Sequence, residues 1–473
     1  SNDEALRYVE QLLQLGVARL HLSVRSQDSQ WDEALVGNLD RFDDDVAGVI
    51  AESLRTWRDI LVRTEGKTFD QARAGLEEAY RVATQLATHC NIEVDPGFPF
   101  REDASAKSGT MTVPVARSTL SLIENMRRFV TATIPLAAPR KLQATMRHAF
   151  GILYGNRTQV PLYEFYEDFY RFHFKAHVDS LRLAPRGDPV PQEFSAENPF
   201  SLPFIDTLEA AEVGLAAYVR SSIATSPMAE EVELELSVFE RETAHLPAAS
   251  NVGSSAAMLG QLVVDSGSAD EVRFVTRWMG YSLGYGRLMA RWLHVLPPEV
   301  LEELRTENRR ETGIIRAEIS GDRGHNANLH PPLLDAEIVY PGSAGGLAPL
   351  QLDPRDLLVA VDSEDPFALR LIQGGTGIRV LPHDLGLQSL DERPPLYQLL
   401  VAFGSPFAFN MPLSHDPAPP PTNEGHAQSR MGPVAATSPT DGRVRSRALS
   451  YRPRLVLGGI VISRRTSLFG NIL

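Results

Sequence analysis

The chain has 473 residues, which is enough for two or three packed regions at roughly 150 residues per domain. Hydrophobic residues make up 43% and charged residues 22%, as in soluble globular proteins, and the formal net charge of −14 disfavours non-specific binding to nucleic acid or to an anionic membrane. The only cysteine, Cys90, excludes an internal disulfide, and no apolar run reaches the roughly 20 residues of a membrane span, so we predict a cytoplasmic protein without membrane insertion.

The beginning of the chain is predicted to contain one helix, one strand and then a helix pair. Apolar residues at helical spacing predict a helix over residues 3–16, and VARLHLSV, residues 17–24, predicts a strand. Because one amphipathic helix cannot bury its own apolar face, we expect part of this fold to precede the chain. The helical pattern over residues 40–86, with a capping box from Thr68 to Gln71, predicts an antiparallel helix pair.

Helices are also predicted across most of the middle of the chain. Seven aromatic residues lie between Tyr163 and Phe174. Their rings could pack in a core or stack on nucleic-acid bases, and core packing is the favoured interpretation. An apolar run at residues 259–264 predicts a strand. The predicted helices cover residues 120–134, 141–155, 207–222, 229–242, 270–293 and 298–308.

A β-rich region begins at residues 314–342, where two apolar runs flank a polar, glycine-punctuated segment that ends on Pro331-Pro332. This pattern predicts strand, loop, strand, and a polar loop on rigid strands is a frequent place for function. Further strands are predicted at residues 357–361, 369–372 and 378–381, and PPLYQLLVAFG predicts a helix that begins at proline. The QGGTG segment predicts a turn, because it lacks the lysine and the following helix of a phosphate-binding loop.

The last part of the chain changes in composition. Residues 411–448 contain seven prolines and little apolar content, which predicts a linker or loop. Between Arg430 and Arg465 there are eight arginines and one acidic residue, Asp441, a local basic segment that suits phosphate contact or is a solvated arm. LVLGGIVIS, residues 455–463, predicts a closing strand.

Motifs with a known chemistry are not found in the sequence. It holds no HExxH, CxxC, Walker loop or GxSxG, and no GxGxxG in a strand-to-helix context. His325 and His330 are the one histidine pair in a promising loop, and no third ligand for a metal can be placed beside them. Motif patterns alone therefore predict an α+β protein and no particular chemistry.

Four segments, taken in chain order, resemble the glutamylation region of lantibiotic dehydratases, a family that also serves thiopeptide pathways. The clearest is residues 314–342. The second segment resembles the family's Phe-x-x-x-Tyr-Gly followed by Val-Pro-Leu, and the third resembles its Asp-Leu strand, Leu-Arg-Leu strand and Val-x-Pro ending. The fourth resembles its closing strand with Pro-Arg, Gly and Val. The matching residues are RAEIS at 316–320 with Arg323, Asn326, Pro331-Pro332 and Glu337-Ile338, then FGILYGNRTQVPL at 150–162, LDPRDLLVAVDSEDPFALRLIQGGTGIRVLP at 352–382 and YRPRLVLGGIVISRR at 451–465.

The resemblance implies an enzyme component that transfers glutamate from glutamyl-tRNA to Ser or Thr of a ribosomal precursor peptide, before elimination leaves dehydroamino acids. No cofactor is implied beyond glutamyl-tRNA as co-substrate. The implied partners are the leader of the precursor peptide, the tRNA, an elimination domain or protein, and a cyclase. The candidate tRNA-binding or glutamate-binding residues are Arg316, Arg323, Asn326, His330 and Arg454.

The resemblance also implies a domain order. Residues 1–35 look like the remnant of a winged-helix peptide-recognition element. We therefore predict an α+β protein with a helical region and a mixed or antiparallel β region. The predicted division is 1–35 for the winged-helix remnant, 36–245 for a mainly helical region, 246–410 for an α+β region, 411–448 for a proline-rich linker or loop, and 449–473 for the closing strand.

Some family features are missing or altered, and they favour a second hypothesis. The upstream Arg-x-Thr-Pro-aromatic-Gly motif is not found, so this piece alone is expected to be inactive. Pro114 stands where the family tends to have Asp, Gly260-Gln261-Leu262 where it has Gly-Arg-Phe, and His330 where it has Arg. Loss of charge at a charge-dependent site favours a non-catalytic scaffold that binds the precursor peptide or partner enzymes.

Overall fold

The computed structural model is an α+β fold, as predicted, with its helices and strands divided between two compact units. Unit 1 consists of Ser1–Met111, Met146–Ala196 and Gly284–Ser405, and unit 2 of Thr112–Thr145, Glu197–Leu283 and Pro406–Leu473. The structure describes residues 30–92, 117–137, 139–176, 178–179, 198–226, 229–247, 255–264, 272–277, 280–310, 313–321, 328–341, 343, 348–404, 408–410, 450–463 and 466–468, with a few single positions before residue 30.

The helices are short to medium in length and end close to the predicted positions in most cases. A π-helix, Tyr170–Phe174, continues directly from one of them. The helices are α1 (Trp31–Leu39), α2 (Asp45–Thr64), α3 (Phe69–His89), α4 (Arg117–Thr133), α5 (Pro139–Tyr154), α6 (Leu162–Phe169), α7 (Pro203–Thr225), α8 (Leu236–Thr243), α9 (Pro298–Asn308) and α10 (Pro395–Ala402).

Within the described residues, the strands form two larger and two smaller sheets. Most are three to five residues long. They are β1 (Gln159–Pro161), β2 (Glu231–Leu234), β3 (Ala256–Ala257), β4 (Gly260–Val264), β5 (Val272–Thr276), β6 (Gly280–Leu283), β7 (Ile314–Ile319), β8 (Ala336–Ile338), β9 (Leu350–Leu352), β10 (Leu357–Val361), β11 (Leu369–Gln373), β12 (Arg379–His383), β13 (Ala408–Asn410), β14 (Ser450–Arg452), β15 (Arg454–Leu457), β16 (Ile460–Ser463) and β17 (Thr466–Leu468).

Helices α2 and α3 form the predicted helix pair. The Asp44 side chain accepts a hydrogen bond from the Val46 N–H at the start of α2, and Thr68 and Gln71 make the reciprocal contacts of a capping box at the start of α3. Ala51 and Leu54 face a small buried core that also involves α1. The predicted capping box at the start of α3 is thus confirmed.

Unit 1 is built on a seven-stranded sheet in the order β1-β10-β11-β12-β7-β8-β9. Strands β1, β10, β11 and β12 pair antiparallel, and β12, β7, β8 and β9 pair parallel. The predicted strands at 357–361, 369–372 and 378–381 are confirmed, and so is a strand near each end of residues 314–342. Residues 322–327 of the predicted loop lie outside the described residues. The sheet is mixed because β7 and β8 are parallel neighbours.

Unit 2 contains a five-stranded sheet in the order β2-β15-β16-β5-β4. Residues 455–463, predicted as one closing strand, form a hairpin instead, because Gly458 and Gly459 turn the chain between β15 and β16 with φ values of 55° and 85°. Strand β15 pairs parallel with β2, and β16 pairs parallel with β5. This sheet is assembled from strands that lie far apart in the sequence.

Two helix predictions were wrong. The segment at residues 270–293 contains β5, β6 and a short 3-10 turn, Ala290–Trp292, and the segment at residues 229–242 begins with β2 before α8. In both cases the strand is fixed by a remote partner: Thr276 Oγ1 donates to the carbonyl oxygen of Val461, 185 residues further along the chain. Local periodicity could not report those partners.

The aromatic segment is used for packing, in agreement with the favoured interpretation. Phe165, Phe169 and Phe174 are fully buried, and their rings lie 5.4 and 5.5 Å apart in stacked pairs. Phe403 contacts Phe165 edge-on within the same unit. These rings are therefore part of the core of unit 1 and cannot stack with nucleic-acid bases.

The predicted winged-helix remnant and the predicted linker fall almost wholly outside the described residues, as does Pro114. In the part of the chain that is described, no helix is long and apolar enough to cross a membrane.

Candidate functional site

A row of ionisable side chains crosses the carboxyl ends of the parallel strands in unit 1. The strand register places His383 of β12 beside Glu318 of β7, and Glu318 beside Glu337 of β8. All three side chains are buried. In open sheets, ligands and catalytic groups lie beyond the carboxyl ends of parallel strands, so this edge of the sheet is a candidate functional site.

Further charged and polar residues extend this row into a buried polar cluster. Each member is at most 7% exposed, so each charge must be compensated within the protein. The buried polar cluster consists of Arg287, Arg316, Glu318, His330, His383, Asp384, Arg393 and Tyr397.

Glu318 and His330 form an ion pair within the cluster. Their Oε1 and Nε2 atoms lie 2.9 Å apart, but the Nε2 N–H is not well aligned with this oxygen, so the contact depends on charge more than on hydrogen-bond direction. His330 Nδ1 lies 2.8 Å from the Pro331 carbonyl oxygen, which can only accept, so Nδ1 carries a proton. Burial alone would lower the pKa of His330, but the Glu318 carboxylate and the Pro331 carbonyl outweigh it and raise the pKa. The position beside Glu318 and the Pro331 carbonyl therefore favours the protonated form of His330.

Asp384 is the acceptor at the centre of the second half of the cluster. Its Oδ1 accepts hydrogen bonds from the Tyr397 hydroxyl at 2.9 Å and from the Gly386 N–H at 3.0 Å. The Nη2 atoms of Arg393 and Arg287 lie 3.4 and 3.5 Å from its two oxygens. Burial is the main reason that the pKa of the Tyr397 hydroxyl is raised well above its ordinary value, so it donates rather than ionises. One carboxylate thus holds two arginines and a phenol below the surface.

His383 behaves differently from His330. Its ring packs against Tyr285 with centroids 4.4 Å apart, and the Arg316 guanidinium lies over the same tyrosine, 5.0 Å from the ring centroid. Burial, with a smaller effect of the Arg316 charge, lowers the pKa of His383 to about 3. Neither ring nitrogen has a hydrogen-bond partner among the residues described here. His383 is consequently a neutral imidazole at physiological pH.

Gly386 packs tightly against side chains at the edge of the cluster. Asn328 is fully buried, and its Nδ2 donates to Gln388 Oε1 at 3.1 Å while its Oδ1 accepts from the Gln388 N–H at 3.3 Å. A Cβ on Gly386 would lie 2.4 Å from Asn328 Oδ1 and 2.7 Å from Arg393 Nη2, closer than side chains approach one another. A larger residue there would displace the Asn328 or Arg393 side chain. Asn328, His330 and Gly386 therefore fix the two segments that follow β7 and β12.

Unit 2 carries a second, exposed group of charges on one face of its sheet. Glu231 accepts from Arg273 Nη1 at 2.7 Å and lies 3.2 Å from Arg454 Nη1. The side chains of Arg273, Arg454 and Glu231 are 38%, 45% and 29% exposed, so they remain accessible to a ligand. Next to Arg273 is a groove of about 320 Å³.

The predicted site residues are distributed between these two places. Arg316 and His330 both belong to the buried polar cluster of unit 1, and Arg454 belongs to the exposed charged face of unit 2. Arg323 and Asn326 lie outside the described residues.

Sequence patterns missed most of the buried polar cluster. Glu318 was included only as part of the RAEIS segment, and His383, Arg287, Asp384 and Arg393 were not singled out. The segment RVLPHD offered one signal, because a His-Asp pair directly after an apolar strand is unusual for a plain turn. Among the described residues, no group of three or more His, Cys, Asp or Glu side chains could hold a metal ion.

With the geometry established, the comparisons with known proteins give the family. The family model described as "Lantibiotic dehydratase, N terminus" matches residues 1–406. The chain belongs to the lantibiotic dehydratase family. The resemblance found in the sequence is thereby confirmed, and the buried polar cluster lies within the matched part.

Solved structures show the same fold. Two are of the glutamylation domain of TbtB from thiomuracin biosynthesis: one matches at 18% identity with a TM-score of 0.57, covering 98% of this chain and 49% of that one. The other, bound to 5'-phosphodesmethylglutamycin, matches at 18% identity with a TM-score of 0.56, covering 88% of this chain and 45% of that one. The tRNA-dependent lantibiotic dehydratase MibB from Microbispora sp. 107891 matches at 14% identity with a TM-score of 0.57, covering 94% of this chain and 39% of that one.

The chain therefore spans less than half the length of these solved relatives. Identities of this size establish the shared fold and leave the chemistry to be argued from the residues. A comparison with curated proteins finds no match.

Proposed function

We propose that this chain forms the glutamylation region of a lantibiotic-type dehydratase, which transfers glutamate from glutamyl-tRNA to Ser or Thr of a ribosomal precursor peptide. Elimination of the glutamate by a further domain or protein would then leave dehydroamino acids. The observation that carries the proposal is the family match over residues 1–406, together with a fold shared over 98% of the chain with the TbtB glutamylation domain.

The reaction is an acyl transfer. The Ser or Thr hydroxyl oxygen forms a bond to the glutamyl carbonyl carbon, the ester bond to the tRNA ribose oxygen breaks, and that oxygen takes up the proton lost by the hydroxyl. Negative charge develops on the carbonyl oxygen, so cationic or hydrogen-bonding groups must face it. The tRNA phosphates need cationic contacts as well.

The charged residues divide between fixing the structure and contacting substrate. Arg316 and His330 are buried, and His330 is paired, so we assign them the role of fixing the segments beyond β7 and β12. Arg454 is half exposed and bound to a single carboxylate, which suits contact with tRNA or the glutamyl group. Arg323 and Asn326 have the right chemistry for the same contact, and we keep them as proposed site residues.

The direct test supplies the complete dehydratase that contains this chain with precursor peptide, glutamate, tRNA and glutamyl-tRNA synthetase, followed by mass spectrometry of the peptide. We expect glutamyl adducts that disappear when tRNA is omitted or when the modified Ser or Thr is replaced by Ala. A verified cognate peptide that stays unmodified while binding to the protein would instead support the non-catalytic scaffold.

The tRNA contact is tested separately by binding at several salt concentrations. Arg323→Ala should weaken tRNA binding and reduce the slope of log affinity against log salt by about 1, because one phosphate contact is lost. Arg171→Ala is the matched control, since the Arg171 side chain is 73% exposed on the aromatic segment. Equal slopes for the two variants would remove Arg323 from the site.

The proposed partners follow from the reaction. They are the leader of the precursor peptide, charged tRNA, an elimination domain or protein, and a cyclase that acts on the dehydrated product. Because charged tRNA is found in the cytoplasm, we propose the same location for this protein.

A further inference from the structure

The groove in unit 2 has the size and the mixture of groups expected for a small polar ligand. Its volume of about 320 Å³ is at the lower end of the ~300–1,000 Å³ typical of small-molecule sites. It is open to solvent between the start of α4 and the hairpin turn of the sheet. The lining residues that matter for a ligand are Asn125, Glu233, Arg273, Gly458 and Gly459.

Opposite charges line the groove. Arg273 contributes a guanidinium whose Nη1 donates to Glu231, while Nε and Nη2 form no hydrogen bond with the described residues. Glu233 contributes an exposed carboxylate, and only its Oε1 is occupied, by the Gly458 N–H at 3.0 Å. One cationic and one anionic side chain therefore both keep unused hydrogen-bonding capacity at the same groove.

The floor of the groove is held rigidly. Gly458 and Gly459 have φ values of 55° and 85°, which other residues rarely adopt. Asn125 Nδ2 donates to the Gly458 carbonyl oxygen at 2.8 Å, and a Cβ on Gly458 would lie 2.7 Å from the same nitrogen. The turn is thus clamped between α4 on one side and Glu233 on the other. A pre-formed floor reduces the entropy lost when a ligand binds.

We propose that this groove binds the glutamyl group of the co-substrate, with Arg273 contacting its side-chain carboxylate and Glu233 contacting its α-ammonium group. This assignment rests on the proposed function. The glutamyl group carries one negative and one positive charge, which match the guanidinium and the carboxylate of the groove. Phosphate groups of tRNA would be repelled by Glu231 and Glu233, so the groove suits the aminoacyl group rather than the nucleic acid.

The test measures the affinity of small ligands for the protein and not the transfer of glutamate to a peptide. It combines two substitutions in the groove with two changes in the ligand. The probes are glutamic acid α-methyl ester, which keeps both charges, glutamine α-methyl ester, which lacks the carboxylate, and N-acetylglutamic acid α-methyl ester, which lacks the ammonium. Affinities are measured by calorimetry or by competition. In the unmodified protein, each lost charge should weaken binding by about tenfold, as for a charge-assisted hydrogen bond.

Each variant should abolish one preference and keep the other. Arg273→Met should bind the glutamate and glutamine esters equally, while still preferring the free amine over its acetylated form. Glu233→Gln should lose only the preference for the free amine. Arg73→Met and Glu77→Gln are matched controls, because this ion pair is 70% and 64% exposed on α3, and both should retain both preferences.

The results separate the groove from the reaction. If the unmodified protein binds no probe, or if the variants keep both preferences, the assignment of the groove is overturned. If the preferences appear as expected but no glutamyl adduct forms in the transfer assay, the groove stands as an amino-acid site and the proposed function fails. If glutamate is transferred and both Arg273→Met and Glu233→Gln keep the unmodified protein's preference for the glutamate ester, the proposed reaction is supported but the groove does not bind the glutamyl group.

Discussion

The ion pair between Glu318 and His330 allows a quantitative prediction for Glu318→Gln. Both side chains are nearly fully buried, with 9% and 1% of the glutamate and histidine side chains exposed. Removing one partner of a buried pair leaves the other charge uncompensated, at a cost of roughly 3–5 kcal/mol. Gln keeps an oxygen that can accept from the imidazole, so we expect about 3 kcal/mol, the lower end of this range.

The destabilisation should depend on pH, and its sign follows from the raised pKa of His330. The groups that face His330 are Glu318 on β7, Asp384 beyond β12 and the Pro331 carbonyl. The folded state binds a proton that the unfolded state releases at the ordinary pKa near 6.5, so this stability is fully present below about pH 6.5 and is lost as pH rises through the raised pKa. The slope is at most about 1.4 kcal/mol per pH unit. Because His330 loses its ionic partner in Glu318→Gln, this slope should be absent from the variant.

Amide hydrogen exchange is the suitable assay, because the chain contains two compact units and a single unfolding free energy would mix them. Opening free energies of β7 and β12 should be measured at about pH 6 and about pH 9 and corrected for intrinsic exchange. The control is Asp335→Asn, which breaks an exposed pair with Arg309 and should cost below about 1 kcal/mol at either pH. A loss below 1 kcal/mol in Glu318→Gln, or an equal loss at both pH values, would refute the reasoning.

Three further substitutions test the geometry of unit 1 and of the hairpin turn. Gly386→Ala should destabilise unit 1 by about 1–3 kcal/mol, since its Cβ would meet polar atoms at 2.4 and 2.7 Å, whereas Gly375→Ala, with nothing within 4 Å, should change the melting temperature little. Gly458→Ala combines a positive φ with a 2.7 Å clash, whereas Gly155→Ala has a φ of 58° and open space around the new Cβ. Gly458→Ala should therefore destabilise unit 2 by more than Gly155→Ala destabilises unit 1. Equal losses of stability would mean that the clash relaxes freely. Thr68→Ala removes a capping box and should lower the stability of α3 by about 1 kcal/mol, measured by exchange of its first-turn amides.

Sequence reasoning succeeded where the signal was local. The capping box at Thr68, the proline start of α10 and the strands of residues 357–381 are each specified by neighbouring residues. It failed for β2 and β5, whose partner strands lie near the end of the chain. A strand of four or five residues has too little periodicity to be distinguished from a helix when its partner is remote.

The same limit applied to the candidate site. Arg316 and His330 were identified from residue type and resemblance. Their environment, however, depends on Glu318 of β7 and on residues at and beyond the end of β12. Whether an arginine is buried or accessible cannot be read from its neighbours in the sequence. Arg393 shows this well, because it lies in the polar segment LDERPP and yet is fully buried over the ring of Tyr397.

Burial also decides which arginines can serve a substrate. Arg393 and Arg287 share the carboxylate of Asp384 below the surface, and drawing either away would leave a buried charge uncompensated at a cost of several kcal/mol. Arg273 and Arg454 share the half-exposed Glu231, and an exposed pair of this kind contributes only about 0–1 kcal/mol, so an anionic ligand can replace the carboxylate at little cost. Two arginines around one carboxylate can therefore hold a fold together or remain available for binding, and their exposure to solvent distinguishes the two roles. On this reasoning, we propose that substrate contact belongs to the charged face of unit 2 and that the buried polar cluster of unit 1 fixes the structure.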